Sequence, residues 1–211
     1  RLSATAQGGV GIGNGVTFTV FVLGLGILLA LDPLVSQAIG ARDPKQAREA
    51  YLQGVWLSVI LSALLAVPLA IVPWFFEVAG VEPAMAVEAR KFVLWRIPGI
   101  LPFFLFTAAR SYLQGQGRPA ILVWAMLIAN VLNFGLDVVL VFGFGPIPPL
   151  GVPGAAIATN LCSVLQWVIL VWAIGPAPLH TVKRFSRDVA AKIVRVGLPI
   201  GLQMAAEVGV F

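Results

Sequence analysis

Charged side chains are scarce in this chain of 211 residues: Asp, Glu, Lys and Arg make up 11% of it, whereas hydrophobic residues make up 59%. A soluble core of this size could not bury so much apolar surface, which excludes an ordinary water-soluble domain. The chain has a single cysteine, which excludes an internal disulfide, and a single histidine. His180 lies in a basic segment, and no Ser-His-Asp set, Cys-His pair or group of metal ligands is visible. We therefore expect neither an enzyme nor a bound cofactor.

The apolar residues form long stretches that short charged segments separate. Each stretch has about 20 residues or more, enough to cross a hydrocarbon layer about 30 Å thick as a helix. The short alternating segments of a membrane-spanning barrel are absent from the sequence. These features predict an all-α, multi-pass membrane protein. The predicted spans cover residues 2–41, 51–76, 92–112, 120–144 and 154–174, and a sixth begins near Val196.

The first stretch is longer than one crossing needs and contains Pro33, which predicts a break in its helix. It also holds more glycines than a free-standing helix would carry, which predicts a close contact with a neighbouring helix. Gly11 and Gly15 form a GxxxG pair within it, and the spacing does not fit a nucleotide-binding loop. The glycines concerned are Gly9, Gly11, Gly13, Gly15, Gly24 and Gly26.

Basic residues are concentrated in alternate loops, although the net charge of +5 could also suggest a nucleic-acid surface. Because the Lys and Arg residues lie between apolar stretches rather than on one face, we interpret them as topology signals and expect no nucleic-acid partner. The positive-inside rule places three loops in the cytoplasm. The basic residues of these loops are Arg42, Lys45 and Arg48; Arg110 and Arg118; and Lys183, Arg184, Arg187, Lys192 and Arg195.

The opposite loops carry Glu77, Glu82 and Glu88 or, in residues 143–153, no charge. With this assignment, the first span begins on the side of the membrane opposite the cytoplasm. A protein with a cytoplasmic N-terminus would need one more helix before it. The chain starts with Arg rather than Met, and its last apolar stretch still continues at Phe211. We therefore expect an internal fragment of a plasma-membrane (inner-membrane) protein.

Asp137 is the residue that most strongly suggests chemistry, because a carboxylate inside an apolar span is costly. Asn133 precedes it by one helical turn, so both side chains lie on the same face of the helix. An amide oxygen and a carboxylate in one small volume suit a proton or a Na⁺ ion. The alternative is a structural hydrogen bond between helices, which an ionisable residue forms at a higher cost.

Other polar residues in the spans are weaker candidates. Glu207 shares a helix face with Gln203 and could be a second carboxylate for ion coupling. The alternative is that Glu207 does not lie deep in the membrane, since its span is cut off shortly after it. Asp32, next to Pro33, is explained by capping or by reaching toward water. The hydroxyl of Thr159 could add to the Asp137 site or simply stabilise helix packing, and Cys162 is interpreted as a small packing residue.

Five short motifs occur in an order that matches one family. They are Pro33-Leu-Val-Ser-Gln-Ala-Ile-Gly-Ala-Arg-Asp, Arg110-Ser-Tyr-Leu-Gln-Gly-Gln-Gly-Arg-Pro, Asn133-Phe-Gly-Leu-Asp, Pro149-Leu-Gly-Val-Pro-Gly-Ala-Ala-Ile-Ala-Thr and Gly197-Leu-Pro-Ile. Together they resemble the multidrug and toxic compound extrusion (MATE) antiporters, in particular the NorM-like branch. The resemblance covers essentially the whole chain.

The resemblance implies a fold of twelve membrane helices in two six-helix lobes, of the MATE-type, MOP flippase superfamily. This chain would supply helices two to seven. Residues 1–176 would form most of the N-terminal lobe, 177–195 the basic cytoplasmic linker between the lobes, and 196–211 the start of the C-terminal lobe.

The resemblance also implies roles for four residues. Asn133 and Asp137 match helix-five residues of a cation site, to which Na⁺ could bind, and Thr159 matches its helix-six hydroxyl. Glu207 resembles the helix-seven acid of the NorM-like branch. A helix-one carboxylate that family members contribute to this site has no counterpart in the chain.

The implied activity is rocker-switch antiport, in which inward H⁺ or Na⁺ drives export of amphipathic, often cationic, organic compounds and drugs. A monomer in the lipid bilayer is expected. The alternative is a lipid-linked oligosaccharide flippase of the same superfamily, which a basic central cavity would favour, whereas the buried charges that we identify in the sequence are acidic. A membrane-embedded enzyme would need a polar catalytic cluster near an interface, and a scaffold would have no reason to keep Asn133 and Asp137 in a span.

Overall fold

The computed structural model describes residues 3–146, 148–175 and 185–209, and the regular secondary structure in these residues is helical. Two short 3₁₀ segments, Val72–Phe75 and Ile97–Gly99, interrupt or extend the longer helices. The α-helices are α1 (Ala4–Leu29), α2 (Leu31–Gly40), α3 (Pro44–Ile71), α4 (Pro83–Arg96), α5 (Ile100–Gly115), α6 (Pro119–Phe142), α7 (Val152–Ile174) and α8 (Arg187–Gly209).

Six helical stretches in the described residues are long and apolar enough to cross a membrane, as the sequence predicts. Two of them consist of two helices that follow each other directly, α1 with α2 and α4 with α5. The six stretches are Ala4–Gly40, Pro44–Phe75, Pro83–Gly115, Pro119–Phe142, Val152–Ile174 and Arg187–Glu207. The multi-pass, all-α prediction is therefore confirmed.

Two helix starts lie earlier in the chain than the sequence suggested. The third stretch starts at Pro83 rather than near Phe92, and the sixth starts at Arg187 rather than near Val196. Helix α8 therefore includes the last part of the segment interpreted as a linker, while residues 176–184, with His180, lie outside the described residues. The division into two lobes and a linker stays a prediction.

Local chemistry explains where several helices begin. The hydroxyl of Ser3 accepts a hydrogen bond from the N–H of Ala6 at the start of α1. The carboxylate of Asp43 accepts hydrogen bonds from the N–H groups of Lys45 and Gln46 at the start of α3. Both are N-caps that satisfy backbone donors without an intrahelical partner. Proline occupies the first position of α3, α4 and α6, where its missing N–H costs nothing.

Two further prolines account for the breaks within long spans. Pro33 has no N–H to donate to the carbonyl of Leu29, and α1 ends at Leu29. Pro98 cannot donate to the carbonyl of Leu94, and the 3₁₀ segment Ile97–Gly99 separates α4 from α5 there. The break expected from Pro33 is thus confirmed.

Glycines allow α1 to approach its neighbours closely. A Cβ on Gly9 would lie 2.6 Å from the Cβ of Glu88 on α4. Near the other end of the same helix, Gly26 meets the backbone of Gly201 on α8. In contrast, Gly11 and Gly15 have open space around them. The expected close packing through glycine is present, but the pair Gly11 and Gly15 does not provide it.

All eight α-helices of the described residues contribute to one apolar core, which α1 to α5 supply for the most part, and α8 packs mainly against α1. Helix α6 packs against α7 and touches α5 only slightly. Large apolar side chains such as Leu64, Phe134 and Trp172 are exposed on the outside of this bundle. A lipid bilayer would cover such side chains, as the multi-pass topology requires.

Candidate functional site

Helices α6 and α7 form a tight antiparallel pair that carries the candidate cation residues. The turn between them is closed by backbone hydrogen bonds from Leu150 to Leu140 (2.9 Å) and from Gly151 to Val141 (3.2 Å). A Cβ on Gly154 would lie 2.5 Å from the carbonyl oxygen of Leu140. Since Gly154 has no side chain, the backbone of α7 can come close to the backbone of α6 at this end of the pair.

Asn133 and Asp137 are half-buried on the side of α6 that adjoins α7. The Nδ2 atom of Asn133 and the Oδ1 atom of Asp137 are buried and have no hydrogen-bond partner among the residues that the structure describes. The buried thiol of Cys162, from α7, lies beside Asn133 and near Asp137. Buried polar atoms are nearly always paired in folded proteins, so an unpaired carboxylate oxygen within a membrane span makes Asp137 a candidate position for a bound cation.

Thr159 lies on α7, one turn before Cys162. Its hydroxyl donates a hydrogen bond to the carbonyl of Ala155 (2.9 Å), and its own carbonyl accepts one from the hydroxyl of Ser163 (3.0 Å). A hydroxyl oxygen has two lone pairs, so Thr159 can still offer an oxygen to a cation while it donates within α7.

Glu207 lies elsewhere in the fold. It is exposed on α8, where its carboxylate accepts a hydrogen bond from the side-chain amide of Gln203 (3.1 Å). Since α8 packs mainly against α1, Glu207 and the pair Asn133 and Asp137 belong to different helix pairs in this chain.

Asp32 has a partner that sequence reasoning did not find. Its Oδ2 atom lies 3.3 Å from Nη2 of Arg110, which is 78 residues further along the chain. Capping or exposure to water therefore does not describe Asp32 fully, because the carboxylate ties the start of α2 to α5.

Arg96 is a second residue that sequence reasoning missed. It is 7% exposed, and its guanidinium donates a hydrogen bond to the side-chain oxygen of Asn160. The interpretation that the buried charges are acidic is therefore wrong. The signal was present in the sequence, since Arg96 lies inside the predicted span 92–112, directly before Ile97-Pro98-Gly99.

Helix α6 thus carries a carboxylate and an amide on the side facing α7, and the adjacent helix α7 carries a hydroxyl at Thr159. Oxygen ligands of this kind suit hard monovalent or divalent cations, and one carboxylate can also carry a proton. Such a site could bind a small cation reversibly at membrane depth.

Comparison with known proteins identifies relatives over the whole chain. A family model described as MatE matches residues 1–139. The chain is 31% identical to the "Probable multidrug resistance protein NorM" of Rhizobium meliloti (strain 1021), over 100% of the chain and 47% of that protein. It is 30% identical to the protein of the same description in Oceanobacillus iheyensis, over 100% of the chain and 49% of that protein. The chain thus spans about half the length of the curated relatives it matches.

Solved structures show the same fold. An inward-facing multidrug resistance MATE family transporter of the MOP superfamily superposes with a TM-score of 0.80 at 24% identity, over 97% of this chain and 47% of that one. The eukaryotic MATE transporter AtDTX14 superposes with a TM-score of 0.87 at 21% identity, over 98% and 46%. The expected MATE-type helical fold is confirmed.

Proposed function

The chain belongs to the MatE family, and on this premise we propose that it works in a secondary active multidrug efflux antiporter. The compounds exported are amphipathic and often cationic, and the exchanged ion is H⁺ or Na⁺. The relatives named as multidrug resistance proteins support this proposal. A transporter that needs only an ion gradient requires no catalytic cluster, which fits a chain whose polar residues in the spans are few.

The observation that carries the proposal is the buried carboxylate oxygen of Asp137, which has no hydrogen-bond partner among the described residues. Asp137 supplies the negative charge, Asn133 an amide oxygen and Thr159 a hydroxyl oxygen to the bound cation. Glu207, on α8, supplies a second carboxylate for ion coupling. A charge inside a span is retained at a cost of kilocalories, which favours a functional role over a structural one.

Coupling follows if the ion and the exported compound prefer different conformations of the transporter. An ion that bound both conformations equally would shift neither, however tightly it bound. In the proposed cycle, a cation entering from outside neutralises Asp137 and stabilises one conformation. Release of that cation to the cytoplasm returns the carboxylate to its ionised form and allows the opposite conformation.

The proposal predicts that Asp137→Asn abolishes ion-driven export. The complete gene product is reconstituted in proteoliposomes, and efflux of a fluorescent cationic dye is followed under imposed H⁺ or Na⁺ gradients. We expect the wild-type protein to respond to one gradient and the variant to lose at least about tenfold of the driven rate, because the amide cannot carry the charge. Asp188→Asn, at an exposed position in the first turn of α8, is the matched control and should keep the wild-type rate.

Normal gradient-driven efflux by the Asp137→Asn protein would contradict the assignment of the site. No dye movement by the wild-type protein under either gradient would contradict the antiporter and favour the flippase alternative.

Arg96 bears on that alternative, since it is a buried basic residue, but its guanidinium is bound to Asn160 and lies 5.5 Å from the centre of the Phe21 ring. The guanidinium of Arg96 is therefore occupied by contacts between helices and does not by itself provide the basic central cavity that would favour a flippase.

A further inference from the structure

Arg96 lies at the end of α4, in the middle of a membrane span, and it is almost completely buried. Its Nη1 atom donates to Asn160, its guanidinium lies over the Phe21 ring, and its buried Nε atom has no partner in the part of the chain that the structure describes. A neutral amide is thus its hydrogen-bond acceptor among the described residues. An arginine in such a place is costly, so its retention calls for a role.

Asn160 joins Arg96 to the helix break. Its oxygen accepts from Arg96, and its Nδ2 atom donates to the backbone carbonyl of Trp95 (2.7 Å). In a continuous helix this carbonyl would accept from the N–H of Gly99, but the 3₁₀ segment around Pro98 changes that pairing. Since Pro98 has no N–H to offer in the 3₁₀ pairing, the amide of Asn160 supplies a donor to this carbonyl.

Gly99 makes room for this contact. A Cβ at position 99 would collide with the side-chain oxygen of Asn160 and would lie 2.7 Å from Nη1 of Arg96. The helix break, Gly99 and Arg96 thus all contact or make room for the side chain of Asn160 on α7. We call the group of Arg96, Gly99, Asn160 and the Trp95 carbonyl the α4–α7 latch.

The latch acts on the helix that supports the candidate site. Helix α6, which carries Asn133 and Asp137, packs against α7 and makes little contact with the rest of the bundle. Helix α7 in turn packs against α4 and α5, so it connects α6 to the remaining helices. A polar bond that fixes α7 on α4 therefore also fixes where Asp137 lies relative to the bundle.

We propose that Arg96 and Asn160 are positioning residues for the cation site, holding α7 so that Cys162 stays beside Asn133 and near Asp137, with Thr159 one turn before Cys162 on the same helix. This inference rests on the proposed cation site of the antiporter. Outer partners that orient ligands typically change affinity by 10- to 100-fold when they are removed, without touching the bound ion.

The test measures cation dependence in the complete gene product. The half-maximal Na⁺ or H⁺ concentration for driven dye efflux is compared between wild type, Asn160→Leu, Gly99→Ala and Arg96→Gln. We expect each variant to require at least about tenfold more cation, with most of the maximal rate retained at saturating cation. Arg96→Lys should recover part of the affinity, since it keeps the charge and one donor.

Arg118→Gln is the matched control. Arg118 also donates to α7, to the carbonyl of Ala173 (3.0 Å), but near the opposite end of the helix and at an exposed position. We expect its half-maximal concentration to equal that of the wild type. An unchanged value in Asn160→Leu would overturn the proposal, and so would a shift confined to Arg96 variants, which would indicate an effect of charge rather than of position.

A second readout does not depend on transport. Cys162 is buried beside Asn133, so its rate of alkylation by a small thiol reagent, read by peptide mass spectrometry, reports how α7 sits on α6. Asn160→Leu should raise that rate at least about tenfold, and an unchanged rate would count against the latch. If the wild-type protein shows no gradient-driven transport, the proposed function fails, while the alkylation rates still decide whether the latch positions α7.

Discussion

Three charged residues inside the spans have three different surroundings. Asp137 forms no ion pair among the described residues and lies on α6, which packs mainly against α7. Asp32 is paired with Arg110, and Arg96 is bound to a neutral amide. A cation at Asp137 would therefore meet a carboxylate without a basic partner in the described residues, whereas at Asp32 it would share the carboxylate with Arg110.

The pair formed by Asp32 and Arg110 should contribute modestly to stability. Both side chains are about one-third exposed, and exposed ion pairs are worth up to about 1 kcal/mol. We expect a double-mutant cycle of Asp32→Asn and Arg110→Gln, measured by unfolding in detergent, to give a coupling energy of about 0.5–1 kcal/mol. Strictly additive effects of the two substitutions would show that the contact adds no stability.

The residues of the site were only partly predictable. Asp137 and Asn133 are four positions apart on one helix, so periodicity alone places them on a common face. Arg110 and Asp32 are 78 residues apart, and Arg96 and Asn160 are 64 apart. Such pairs depend on how helices cross, which a single sequence does not encode in any local pattern.

At the scale of elements, glycines on α1 determine which of its faces can pack. Gly9 abuts Glu88 and the backbone of Met85 on α4, whereas Gly11, two positions later, has open space. We expect Gly9→Ala to lower stability by about 1–3 kcal/mol through overpacking. Gly11→Ala should be neutral or stabilising by up to about 1 kcal/mol, because alanine favours a helix.

The measurement is the thermal unfolding midpoint of both variants in the same detergent. The comparison is matched, since the substitution and the helix are the same and only the face differs. Equal losses at the two positions would contradict the packing of α1 on α4.

The spans themselves were largely predictable because the length of an apolar stretch and its prolines are local properties. The sequence did not predict which glycines of α1 contact a neighbouring helix, since glycines at alternate positions point to more than one side of a helix. The start of α8 was missed for another reason. Its first turns contain Arg187, Lys192 and Arg195, and a helix that extends beyond the apolar layer carries no hydropathy signal there.

At the scale of the whole molecule, charge distribution predicts how the bundle is oriented. The turn between α2 and α3 and the start of α6 carry basic residues, such as Arg42 and Arg118, on the side assigned to the cytoplasm. On the opposite side, Arg90 lies 3.3 Å from Glu77 and Lys91 lies 2.7 Å from Glu88. These two basic residues on the outer side are therefore both ion-paired.

This orientation predicts which positions a membrane-impermeant maleimide can reach in intact cells. Val78→Cys, in a turn on the outer side where Val78 is 85% exposed, should be labelled without permeabilisation. Lys45→Cys, exposed at the start of α3, should be labelled only after permeabilisation. Native Cys162 serves as a buried reference in both proteins. The reverse pattern would invert the direction of every span, and with it the side from which the driving cation reaches Asp137.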